Sequence, residues 1–157
     1  MTAAPAFSAA TRPVDTYEAA AAPLPAIEWV EVSAGPRGGI SLRAGTTVDA
    51  TDVYLAGHFP ELTVYPGVFT LETIGQAVTA AVGYCAGRLP QLHLLRSARF
   101  LAPLLAGDTL TVEASVGPVG EDQSFDVTAR CVRGDGVHAA TVRAVYRWPS
   151  ADGGNAR

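Results

Sequence analysis

The 26 positions from Leu62 to Gly87 carry a single charged side chain, Glu72. Rich in Ala, Val, Leu and Ile, opened by Pro66-Gly67 and closed by glycine, the stretch predicts one long helix from Pro66 to about Ala86. A helix that is apolar nearly all round has to be covered by protein or by membrane. Membrane is the weaker fit, because Pro66, Gly67, Gly75, Gly83, Glu72 and Gln76 interrupt the run and charge at bilayer depth is expensive. The helix therefore belongs inside a fold, where a bare carboxylate is costly, so Glu72 must be paired, neutral or facing a cavity. Gln76 lies four residues on and on the same face. A proton-donating carboxyl and a carboxylate held only by Gln76 or by backbone amides are both open at this point.

The cover for this helix stands on either side of it. Before it, Ile27 to Ser33 alternates, and after the glycine-rich GPRGG the segments Ile40 to Ala44 and Thr46 to Ala50 read as short strands. After it come Leu92 to Phe100, Thr109 to Val116, Ser124 to Arg133 and Val137 to Trp148, rich in β-branched residues and separated by turn signals, with Gly134-Asp135-Gly136 as a hairpin turn. One helix among many strands predicts an α+β domain, an antiparallel β-sheet wrapped around one long central helix. Within the 157 residues this places a single domain over 27–148, a flexible Ala/Pro-rich leader over 1–26 and a flexible tail over 149–157.

Composition removes several kinds of chemistry. A net charge of −4 argues against a general electrostatic hold on nucleic acid or anionic lipid. All eleven basic residues are arginine, which excludes Schiff-base lysines and the P-loop lysine. Cys85 and Cys131 are too few and too far apart for a disulfide framework or a zinc site; both read as packing residues in a cytoplasmic protein. His93 and His138 have no carboxylate or cysteine at a ligand spacing and receive no role. There is no GxSxG motif and no GxGxxG after a strand.

Gly57-His58-Phe59-Pro60, a short loop, Pro66-Gly67-Val68, and then Glu72 with Gln76 follow in order, with His58 standing 14 positions before Glu72. This register resembles the signature of the 3-hydroxyacyl-(acyl carrier protein) dehydratases of the hot-dog fold, the FabZ-like family. Arg99-Phe100-Leu101-Ala102-Pro103, followed by Gly107-Asp108-Thr109-Leu110, is similar to that family's strand-turn-strand segment after the helix. The resemblance spans about residues 46–147; before it, PLPAIEWVEVSAGP stands where the family carries a Pro-His-Arg-Tyr-Pro-Phe and Val-Asp-Arg stretch, so acyl length and substrate entrance stay undefined.

The residue types suit the chemistry that the resemblance implies. Removing water from a 3-hydroxyacyl thioester needs a base for the C2 proton, a donor for the growing enolate oxygen and an acid for the departing hydroxyl. An imidazole titrates near neutrality, which suits His58 as base, and Glu72 on its apolar helix is placed to be the acid. The helix start leaves free amides at its positive end, and Gly67 lets a thioester oxygen approach its N–H. The resemblance further implies that no cofactor is needed beyond the phosphopantetheine that carries the substrate, that an acyl carrier protein is the partner, and that His58 and Glu72 of one site come from different subunits of a homodimer.

Phe59, Pro60, Val68 and Gln76 are the expected substrate-binding residues, with Gln76 orienting Glu72. Tyr65 reads either as lining an acyl tunnel or as an ordinary packed aromatic. Arg88, Arg96 and Arg99 are candidates for docking an acidic carrier protein, or plain solvated arginines. Glutamate at 72 favours a dehydratase over the branch that also isomerises the double bond. Two alternatives stand beside this reading: a hot-dog thioesterase, and a non-catalytic or half-active subunit that pairs with a related dehydratase.

Overall fold

The computed structural model describes the backbone of residues 11–13 and, with side chains, residues 26–52, 55, 58, 61–83 and 87–149. Its elements are β1 (Thr11–Pro13), β2 (Trp29–Ala34), a 3-10 turn (Pro36–Gly38), β3 (Ile40–Thr47), α1 (Gly67–Val82), β4 (Gln91–Phe100), β5 (Thr109–Val116), β6 (Ser124–Arg133) and β7 (His138–Arg147). The strands form one antiparallel sheet in the order β1-β2-β3-β5-β6-β7-β4. This is the expected α+β arrangement of one helix against one sheet.

The helix begins where proline demands it. Pro66, extended at φ −61° and ψ 141°, is the N-cap and places no side chain over the first amides. The helix stops sooner than the sequence predicts, at Val82 rather than near Ala86. Gly83 adopts φ +69°, open at low cost only to glycine, and its N–H donates to Thr79 O at 2.8 Å. The chain offers two such glycines, since Gly87 also has a positive φ, and the first one ends the helix.

Strand boundaries follow the alternation closely. The expected strands over 109–116 and 124–133 appear as β5 and β6, with every second side chain buried along most of β6. The two short strands expected over 40–44 and 46–50 are one strand, because Gly45 stays in the ladder opposite Trp29. Gly136, at φ +86°, donates to Arg133 O and closes the expected β6–β7 hairpin. Within the segment expected to be a flexible leader, Thr11–Pro13 adds a short strand to the edge of β2; the rest of 1–25, and 150–157 of the expected tail, lie outside the described residues.

The sheet has two unlike faces. Toward α1 it presents Val30, Leu42, Ala44, Leu110, Val112, Val127, Ala129, Val142 and Ala144, against which Thr73, Ile74, Ala77 and Val78 of the helix pack. Its other face carries a ladder of directly opposed charges, Glu31–Arg43–Glu113–Arg130, joined at 3.4, 4.0 and 3.3 Å across four strands. Cover is incomplete at one side. β4 pairs only with β7, none of its ten residues is buried, and Leu92, Leu94, Leu95 and Phe100 are exposed. Val68 is 64% exposed, and Leu71, Glu72 and Gly75 are half-buried, so the expectation of a helix covered all round is met only on its sheet face within one chain.

Candidate active site

Two cavities flank the start of α1. The first, about 460 Å³, is lined by His58, Tyr65, Gly67, Thr70, Phe100 and Leu104, among others. His58 is exposed and its own N–H donates to Leu55 O at 3.2 Å. Gly67 brings the open end of the helix to this cavity, since no side chain caps the helix there. A Cβ on Gly67 would stand 2.7 Å from the tip of the Phe100 ring, so a larger residue here would push that ring aside and reshape the cavity wall. The base and the oxyanion donor expected from the sequence thus line one cavity.

Tyr65 also lines this cavity, and both readings of it hold in part. It is buried, meets Phe69 edge-on at 5.6 Å, and its hydroxyl stands 3.1 Å from Thr73 Oγ1. Thr73 Oγ1 donates to Phe69 O at 2.9 Å, so the phenol is the donor of the pair. Burial raises the Tyr65 pKa against the opposing effect of the Thr73 hydrogen bond.

The second cavity, about 330 Å³, is lined by Val68, Leu71, Glu72, Gly75, Gln76, Thr79, Pro90, Leu92 and Tyr146. Here Gln76 is buried and its amide is held from both ends. Its Oε1 accepts the Ala26 N–H at 2.8 Å, which leaves Nε2 to donate to Glu72 Oε1 at 2.8 Å. The backbone amide at Ala26 therefore settles which way the glutamine points, and Glu72 is left with Oε2 for other work. The Gln76–Glu72 hydrogen bond is the contact expected of two residues four apart on one helix face. Within one chain, however, Glu72 and His58 line different cavities.

Phe59 and Pro60, expected to bind substrate, lie outside the described residues, as does Cys85. Arg88, Arg96 and Arg99 line neither cavity; Arg96 stands 3.6 Å from Asp126, Arg99 is exposed, and Arg88 is half-buried with Nε unpartnered among the described residues. His138 bonds with Thr141 Oγ1 at 2.8 Å, an ordinary satisfied histidine, and Cys131 is buried in the core, its thiol pushed up to about 12 by desolvation. Sequence reasoning missed Phe100 as a wall of the first cavity and Tyr146 as a wall of the second. Phe100 sat in a quoted motif without a role; Tyr146 sits where the burial of β7 stops alternating, with Ala144, Val145 and Tyr146 buried in a row. No described helix is long and apolar enough to cross a membrane.

One long helix packed against a single antiparallel sheet is the hot-dog fold. Solved structures share it at low identity: the dehydratase heterocomplex ApeI:P of Xenorhabdus doucetiae (16% identical, TM-score 0.54, 77% of this chain and 96% of that one) and a thioesterase of Haemophilus influenzae (15%, TM-score 0.51, 77% and 78%). A family model described as ApeI-like, ApeI dehydratase, matches residues 37–139. The chain belongs to this family of FabZ-like hot-dog dehydratases. The 3-hydroxyacyl-(acyl-carrier-protein) dehydratase FabZ of Granulibacter bethesdensis is 33% identical over 127 residues, covering 77% of this chain and 72% of that protein. FabZ of Actinobacillus pleuropneumoniae is 35% identical over 77 residues, 46% of this chain; there the match spans half of the relative's length.

Proposed function

We propose that this protein dehydrates 3-hydroxyacyl thioesters carried on an acyl carrier protein, giving trans-2-enoyl thioesters for fatty-acid or polyketide/polyene synthesis in the cytoplasm. The observation that carries the reading is the cavity shared by His58 and Gly67, a base beside an open helix start. The Gly67 N–H donates to the thioester oxygen as charge gathers on it, supported by the positive end of α1. His58 takes the C2 proton, the C3–O bond breaks, and Glu72 gives its proton to the departing hydroxyl, which leaves as water. The proton taken by His58 then passes through solvent to the Glu72 carboxylate, which restores both groups for the next turnover. The substrate arrives on phosphopantetheine, the reaction needs no further cofactor, and Arg88, Arg96 and Arg99 offer positive charge to an acidic carrier.

Because His58 and Glu72 of one chain line different cavities, this reading calls for a second subunit that sets its Glu72 beside the first subunit's His58. A second copy of the chain, joined along the unpaired edge of β4, supplies it and covers the exposed leucines. A related but different subunit is the second reading, favoured by the fold shared with the ApeI:P heterocomplex. The thioesterase alternative would use the same kinds of group, an amide for the thioester oxygen and a carboxylate to activate water, and is separated from dehydration by the product.

The test is intact-mass analysis of a 3-hydroxyacyl carrier protein incubated with the purified chain alone. Loss of one water is expected, with turnover reduced about 10²- to 10⁴-fold in His58→Ala and in Glu72→Gln. Loss of the whole acyl group would mean hydrolysis. No change across short, medium and long acyl groups, reversed by adding a related dehydratase subunit, would move the assignment to the second reading.

A further inference from the structure

Tyr146 is the polar group of the Glu72 cavity that the reaction above leaves without a task. It sits near the end of β7, 5% exposed, paired in register with Phe125 on one side and Leu92 on the other. Its ring stacks on Phe125 at 6.0 Å and 16°, which fixes the direction of its hydroxyl. That hydroxyl reaches across to α1 and lies 3.5 Å from where a Cβ on Gly75 would be. Gly75 follows Glu72 by three residues, and side chains at that spacing stand about 5–6 Å apart at Cβ on one helix face. A Cβ at 75 would stand in ordinary contact with the phenol, so the hydroxyl lies directly against this face of the helix.

The Tyr146 ring is buried but its hydroxyl opens onto the cavity, with no hydrogen bond to another described residue, whereas the Tyr65 hydroxyl is engaged by Thr73. The oxygen is therefore free to meet whatever enters the cavity beside Glu72. Burial, with the negative field of Glu72 added to it, pushes the phenol up to about 12, so it keeps its proton throughout the physiological range and acts as a donor. The space it shares with Glu72 and Gln76 is about 330 Å³, where a single water takes about 30 Å³.

We propose that Tyr146 donates a hydrogen bond to the oxygen that leaves C3 of the substrate, seating it against Glu72. The inference rests on the dehydratase reading above and deepens it. Gln76 holds Glu72 Oε1, so Oε2 carries the proton that is transferred. Tyr146 meets the departing C3 oxygen from the sheet side of the cavity. It lowers the barrier by stabilising the departing oxygen as the C3–O bond lengthens, and it neither gains nor loses a proton in the step. The water formed is released from this seat, and the enoyl product, which has no oxygen at C3, does not touch Tyr146.

The experiment is Tyr146→Phe, assayed as full-length protein on 3-hydroxybutyryl, 3-hydroxyoctanoyl and 3-hydroxydodecanoyl carrier proteins, with inhibition by the matching trans-2-enoyl carrier protein measured alongside. The expected result is about a tenfold fall in kcat, the worth of one hydrogen bond made in the transition state. Product inhibition should be unchanged, and the thermal midpoint equal to or above that of the wild type. A merely structural tyrosine would lower the midpoint and weaken product binding together with kcat, which would overturn the proposal, as would a kcat within twofold of wild type. Failure of the wild type to release water from any of the three substrates would instead strike the dehydratase reading and take this role with it.

Discussion

Gln76 is the residue on which the Glu72 site turns, because its amide has a task at each end. Gln76→Ala would leave the buried Ala26 N–H without an acceptor, at a cost of about 1–3 kcal/mol, and would free Glu72 to leave its present orientation. Urea unfolding should show a lower midpoint at unchanged slope, and kcat should fall. Gln76→Glu separates the two tasks: its carboxylate still accepts from Ala26, so most of the stability returns, but it cannot donate to Glu72 Oε1 and turnover stays low. Recovery of both together would show that orienting Glu72 is not what Gln76 does. The Glu72–Gln76 pair was legible in the sequence because both lie on one helix, where spacing dictates which side chains meet. Tyr146 was not, because its meeting with Gly75 is made across the whole layer of the sheet, and strand sequence alone does not say which helix residue a side chain will face.

Among the elements, the β6–β7 hairpin has a structural task beyond pairing. Its turn residue Asp135 holds the Arg133 guanidinium through Nε and Nη2, the closest contact at 2.7 Å, and Arg133 Nη1 donates to Pro103 O at 2.9 Å. Pro103 is part of the wall of the His58 cavity, so this ion pair ties the hairpin to the site. The Arg133 hydrogen bond, ahead of the bond from the Val137 N–H, lowers Asp135 from 3.8 to about 2. A carboxylate lowered in the folded state stabilises the fold at pH values above its unfolded pKa and loses that contribution as pH falls through its folded one. The thermal midpoint difference between wild type and Asp135→Asn should therefore be constant above about pH 5, shrink as pH falls through 3.8, and be lost only below about pH 2. It should be small and sensitive to salt, because the pair is solvent-exposed. A difference that persists unchanged to pH 2 would detach the turn from this ion pair. The strands from β2 to β7 could be read from alternation and turn residues, except that β3 read as two strands and the 3-10 turn at Pro36–Gly38 gave no signal. The end of α1 could not, because Gly83 and Gly87 are equivalent signals until the chain has to turn back toward β4.

For the whole molecule, the decisive fact is that one chain divides its chemistry between two cavities and leaves β4 uncovered. A sheet edge with three exposed leucines, Leu92, Leu94 and Leu95, is a liability in a monomer. The proposed pairing of two chains about a two-fold axis would cover this edge on both chains and build two sites at once, each with the His58 of one chain and the Glu72 of the other. Complementation tests that arrangement directly. In the proposed homodimer, His58→Ala and Glu72→Gln should each be nearly inactive, but a mixed dimer would hold one site with both changes and one with neither. If equal amounts of the two variants are unfolded together and refolded, random pairing makes half of the dimers mixed, each with one of two sites intact, so about a quarter of the wild-type activity should return. Refolding each variant alone before mixing should return none until subunits exchange. If both groups instead acted within one chain, every site in the mixture would lack one of them, and no order of mixing would restore turnover.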